Sequence, residues 1–166
     1  MPPQPWAIGF VAALLISLVG CASPAFFENF QAQHQHRALL RWQQPNGNGL
    51  TADSYFSRDA AGGVALVIAK ESPQPMLEAV LQNGTLALRG PLIGGFAWTG
   101  PVNSAPKPLA PWAALLSAYA QSPAMAEGSQ EVHSSAYRAQ YVTLNGRLKS
   151  LYVVSSDTGD SFVVRF

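Results

Sequence analysis

Charge is scarce in this chain. Asp, Glu, Lys and Arg make up 11% of its 166 residues and the formal net charge is +1, against roughly 25% charged residues in ordinary soluble domains. There is no basic stripe, so no nucleic-acid partner is expected, because binding to phosphates needs clustered Lys and Arg. Cysteine is nearly absent: Cys21 stands alone. That excludes an intrachain disulfide and a thiolate metal site, and leaves an extracytoplasmic domain to be held by its core. Catalytic signatures are missing as well. The chain has no Gly-x-Ser-x-Gly elbow, P-loop or dinucleotide fingerprint. Ser134 and Ser135 beside His133 lack the acid and the elbow of a triad. Glu71, Glu78, Glu127 and Glu131 share no spacing that builds a metal cage. No enzyme activity, cofactor or metal is expected.

Residues 1–20 carry no charged side chain. Their apolar run, Trp-Ala-Ile-Gly-Phe-Val-Ala-Ala-Leu-Leu-Ile-Ser-Leu-Val, has the length of a signal-peptide core and falls short of the roughly 20 residues a membrane-spanning helix needs. It closes on Leu18-Val19-Gly20-Cys21, the pattern of a lipobox, followed by the turn-like Ala22-Ser23-Pro24. The expectation is a lipoprotein signal peptide over residues 1–20 and a lipidated tether over 21–25, with Cys21 carrying the lipid. A single domain then fills residues 26–166. Acyl chains hold a protein to a membrane at about 0.8 kcal/mol per buried methylene. Ala22 after the lipid points to the outer membrane, facing the periplasm.

Phe26, Phe27 and Phe30 fall at helical spacing and predict a helix within residues 23–35. His34 and His36 then lie on different faces of that helix and do not make a metal pair. Strands follow at 38–44, 50–58 and 64–69. The third is apolar on both faces, so it belongs in the middle of a sheet. Asn83-Gly84 between residues 76–82 and 85–89 is a type I′ hairpin signal, because both central residues need positive φ. A strand is expected near residues 95–98. Pro111 opens a helix whose Trp112, Leu115, Leu116 and Tyr119 share one face. That face reads either as core packing or as a lid over a lipid pocket. Residues 122–134 are polar and read as a loop. Tyr137, Ala139 and Tyr141 alternate with Arg138 and Gln140, a half-buried strand. Asn145-Gly146 makes a second hairpin, and Asp157 and Asp160 flank a turn before the closing strand at 161–166.

This element order, with Ser72-Pro73-Gln74-Pro75-Met76 between two strands and Pro111-Trp112 opening the later helix, resembles the LolA/LolB-like proteins, periplasmic carriers and outer-membrane receptors for lipoproteins. The resemblance implies an α+β, mainly β fold: a curved antiparallel sheet (an open half-barrel), an N-terminal helix, and a second helix packing on the concave face. It also implies an apolar hollow for acyl chains. In this chain that hollow would be lined by Leu66, Ile68, Leu77, Leu81, Leu86 and Leu88 and lidded by Trp112, Leu115 and Tyr119. Met76 stands nearest to the receptor's exposed membrane and cargo loop. The function expected is an outer-membrane lipoprotein that binds lipid or lipidated protein, with a role in lipoprotein localisation. Its partners would be the membrane, acyl chains and lipoproteins. The alternative is a structural or assembly lipoprotein that docks on an envelope protein complex without transfer activity. An empty apolar hollow separates the first from the second, which needs a filled core and an exposed apolar patch or free strand edge.

Overall fold

Hairpin after hairpin builds one sheet. The computed structural model describes residues 24–70 and 74–166. A one-turn helix, α1 (Pro24–Glu28), precedes five strands: β1 (His34–Gln43), β2 (Gly49–Arg58), β3 (Val64–Ala69), β4 (Leu77–Gln82) and β5 (Thr85–Arg89). After β6 (Ala97–Pro101) comes α2 (Ala110–Gln121), then β7 (Gly128–His133), β8 (Tyr137–Leu144), β9 (Arg147–Ser155) and β10 (Ser161–Arg165). The strands pair antiparallel in the order β6-β5-β4-β3-β2-β1-β10-β9-β8-β7. The last strand therefore closes against the first, with Leu40 opposite Val164 and Trp42 opposite Phe162. The sheet remains open, with β6 and β7 as its edges. Among the described residues no helix is long and apolar enough to cross a membrane.

Local chemistry sets the register. Asn83 and Gly84 have φ of 51° and 74°, and Asn145 and Gly146 have 54° and 67°, so both Asn-Gly pairs form the primed turns their sequence calls for. Along β8, Tyr137, Ala139, Tyr141 and Thr143 are buried, while Arg138, Gln140, Val142 and Leu144 are exposed. This period of two puts one row of side chains on the face that carries α2.

α2 is buried almost all round, with Trp112, Leu115, Leu116 and Tyr119 joined by Ala110, Ala113, Ala114 and Ala118. Its backbone comes close to β3 and β4 on one side and to β8 and β9 on the other. A helix reached from both flanks of a sheet has little surface left for water, which explains its alanines. Aromatic rings tie its ends to the middle strands. Trp112 sits 5.1 Å from both Trp42 and Phe162, and Tyr119 sits 4.8 Å from Phe56.

Three expectations need correction. The N-terminal helix ends at Glu28, and β1 begins at His34. The Gln33 N–H donates to the Arg58 carbonyl at 2.8 Å, and His34 pairs with Arg58 at the head of a ten-residue ladder. A short, polar helical stretch is marginal alone, so a long ladder outcompetes it. His34 and His36 therefore share one strand face instead of occupying two helix faces. α1 also touches the other side of the sheet: the Phe27 ring lies 4.2 Å from the Arg89 guanidinium carbon. Arg89 faces away from the core residues Leu86 and Leu88. Finally, residues 128–133 form β7 where a loop was expected. Its side chains alternate without a buried row, so the strand has no apolar period to read. It forms because β8 offers its free backbone groups.

Candidate functional site

The nine residues expected to line and lid a hollow come together, but as one packed core. Leu66, Ile68, Leu77, Leu86, Leu88 and Leu115 have no exposed surface, and Leu81, Trp112 and Tyr119 have 9% or less. They belong to a single apolar cluster with Leu40, Phe56, Tyr141, Leu151, Val153, Phe162 and Val164. The side chains of α2 occupy the space between the flanks of the sheet.

Polar ties hold α2 at its C-terminal end. Its last turn supplies no basic side chain. Arg58, at the end of β2, does so from across the sheet. Its guanidinium donates to the carbonyls of Tyr119 (2.7 Å) and Ala120 (3.2 Å) and to Ser122 Oγ (3.1 Å). It also stacks 4.7 Å from the Tyr119 ring. This caps carbonyls of the last turn, that of Tyr119 being shared with the Ser122 N–H, and sets a positive charge at the negative end of the helix dipole. The Tyr141 hydroxyl donates to the Ala118 carbonyl at 2.9 Å. Burial, and then the neighbouring Tyr137, push the Tyr141 phenol well above its ordinary pKa. Burial raises Tyr119 too, and the charge of Arg58 opposes it.

Open space lies beyond the two ends of α2. Past its N-terminal end, a cleft of about 450 Å³ is bordered by Trp42, Leu92, Phe96, Pro111, Trp112 and Asp160. Phe96 is half exposed there. The Asp160 carboxylate is buried and accepts the Trp42 indole N–H at 2.7 Å. Past the C-terminal end, a cleft of about 560 Å³ is bordered by His36, Arg58, Tyr119, Arg147, Lys149 and Phe166, among others. Its acidic neighbour, Glu127, is held by the backbone N–H groups of Asn145 (2.6 Å) and Gly146 (3.1 Å). Of the nine predicted lining residues, only Trp112 and Tyr119 border these clefts.

Met76 is half-buried against the core. Its N–H donates to the Ile68 carbonyl at 2.8 Å, and its own carbonyl accepts from Leu92 at 2.9 Å. Those bonds fasten it at the base of the β3–β4 connection rather than at its tip, and residues 71–73 lie outside the described residues. Cys21 also lies outside them. Among the described residues no three His, Cys, Asp or Glu side chains gather as metal ligands would.

Sequence reasoning missed Arg58, Arg147 and Lys149. The Arg58 cap acts over 61–64 residues of chain, and nothing local to Arg58 announces it. Arg147 follows the Asn-Gly turn and could have been placed at a hairpin end, but not beside the C-terminus of α2.

Fold and site together define the class: an open antiparallel sheet around one buried helix, with clefts at the helix ends. A scan against protein-family models finds no match to the chain, and a search of curated proteins finds none either.

Proposed function

We propose that the chain is a lipid-anchored protein of the bacterial cell envelope. Acylated Cys21 holds it at the outer membrane, facing the periplasm, and it docks there on an envelope protein complex. The observation that carries the docking role is the filled core, where the nine residues suited to an acyl-chain hollow pack on one another. Recognition then falls to the surface. The outer edge of β7 has no neighbouring strand among the described residues, and Val142, Leu144 and Tyr152 expose apolar surface on the adjoining β8 and β9. A free edge beside exposed apolar side chains favours strand addition by a partner.

A second proposal, lipid or lipoprotein carriage, is favoured by the character of α2. The helix is apolar on nearly every side and, among the described residues, is tied by few side-chain polar bonds, those to Arg58 and Tyr141. Its displacement would open an apolar trough on the sheet.

Native mass spectrometry of the full chain released from neutral nanodiscs separates the two. A bare mass that takes up no added fatty acid or acylated peptide agrees with docking. A discrete lipid-sized addition, lost in Leu66→Trp or Leu115→Trp, reverses the order of the two proposals. The anchor has its own test. Metabolic labelling with an alkyne fatty acid should mark the wild type and not Cys21→Ser, and equal labelling of both removes the anchor.

A further inference from the structure

We infer that the cleft beyond the C-terminal end of α2 binds an oxyanion carried on an apolar stem, such as a phosphate monoester or carboxylate of an amphiphile. The inference does not rest on the anchor or the docking edge: Thr143 shares the inner face of the sheet with α2, whereas Val142, Leu144 and Tyr152 are exposed on the outer face.

Three observations converge there. The first is charge. His36, Arg58, Arg147 and Lys149 border the cleft against the Glu127 side chain and the α-carboxylate of Phe166, the last residue. Arg58 has donors committed to the helix end and Ser122. Arg147 and Lys149, by contrast, take part in none of the four ion pairs among the described residues, which join Arg37–Asp53, Arg89–Glu78, His133–Glu131 and Arg138–Glu131. Glu127 accepts two backbone donors, and neither cation lies within ion-pair distance of it or of the chain end. Two unpaired cations at one opening favour a ligand of opposite charge.

The second is the apolar wall. The Tyr119 and Phe166 rings stack at 5.8 Å with planes 19° apart. Met125 and Leu148 border the same space and pack partly against the core. An inorganic ion has no use for such a wall, whereas a short hydrocarbon or flat stem buries surface on it.

The third is an orphan. Thr143 is 7% exposed and borders the cleft, and its hydroxyl is buried with no hydrogen-bond partner. Buried polar groups are nearly always paired, so this covered hydroxyl in the cleft wall is a donor that a ligand atom can satisfy once the wall shifts to admit it.

Isothermal titration calorimetry on the full chain in neutral nanodiscs, with hexyl phosphate, hexanol and inorganic phosphate as probes, tests the inference. Hexyl phosphate should bind saturably and at least tenfold tighter than either fragment, and rising salt should weaken it. The surface variant Arg147→Gln/Lys149→Gln should weaken it about tenfold with an unchanged melting temperature, a loss of about 1.4 kcal/mol. Thr143→Val should weaken it without lowering the melting temperature of the free protein, because valine removes an unpaired buried hydroxyl. Inorganic phosphate binding as tightly as hexyl phosphate would make this a simple ion site and overturn the stem. Hexyl phosphate affinity that the double variant leaves intact would overturn the site itself.

Discussion

Trp42 and Asp160 show how much a single side-chain pair carries in a chain with few charges. Asp160 is 5% exposed and its carboxylate accepts the indole N–H at 2.7 Å. Burying an ion is tolerated when a good donor meets it. Trp42→Phe keeps the ring and removes the donor, so it should lower unfolding free energy by about 2–3 kcal/mol in urea titrations. Asp160→Asn in the Trp42→Phe background should recover part of that loss, because the charge is gone. Tyr141 makes a pH prediction. Its folded pKa is raised above the ordinary phenol value, mainly by burial. Above about pH 10 the unfolded phenol ionises while the folded one keeps its proton. The stability it contributes is therefore complete below about pH 10 and falls as pH rises towards the folded pKa. Urea unfolding from pH 8 to pH 11 should show this loss, and Tyr141→Phe should show a shallower one. Tyr119 and Tyr137 shift in the same direction and leave a residual slope. In the sequence, Asp160 reads only as a turn residue. Its partner stands 118 positions away, beyond any local pattern.

Hairpins and the buried helix differ in what holds them. The β4–β5 turn is local: Gly84 has φ of 74° with open space where a Cβ would stand. Gly84→Ala therefore adds backbone strain and no clash, and should cost about 1–2 kcal/mol in thermal or urea unfolding. The end of α2 is held from a distance. Arg58→Met keeps the stem and removes the donors to Tyr119, Ala120 and Ser122. Hydrogen exchange should then speed up in the last turn of α2 ahead of the sheet, with a global loss of about 1–3 kcal/mol. Exchange that rises equally everywhere would assign Arg58 to general stability rather than to the cap. The strands with period-two burial, the two Asn-Gly turns and the Pro-led helix were all legible, because each is dictated within a few residues. β7 was not legible, since its half-buried face offers only Val132 as an apolar side chain and so carries no apolar row.

For the whole molecule, everything turns on what fills the space between the flanks of the sheet. Leu115 has no exposed surface and lies in the core cluster. Leu115→Ala should cost about 2–5 kcal/mol, the usual range for deleting a buried leucine side chain into a cavity. If the core is as tight as its burial indicates, that variant should also gain an affinity for small apolar molecules that the wild type lacks, readable by xenon- or benzene-induced shifts in NMR spectra. Wild-type shifts of the same size would mean that the hollow already exists and would favour carriage over docking.

Composition and short-range pattern determined the mainly antiparallel sheet, its hairpin turns, the later helix and the apolar identity of the residues between them. Those features depend on backbone preferences and on periodicity, which the chain carries locally. Whether the leucines of β3, β4 and β5 would line a space or fill one depended on how closely α2 sits against both flanks. That distance is set by side chains brought together from β1, β2, β8, β9 and β10. The same long-range closure placed Arg58 on the helix end and gathered Arg147, Lys149 and Thr143 around one cleft. Only the tertiary structure decided this, because packing is a property of pairs of elements and each element alone presents merely a suitable face.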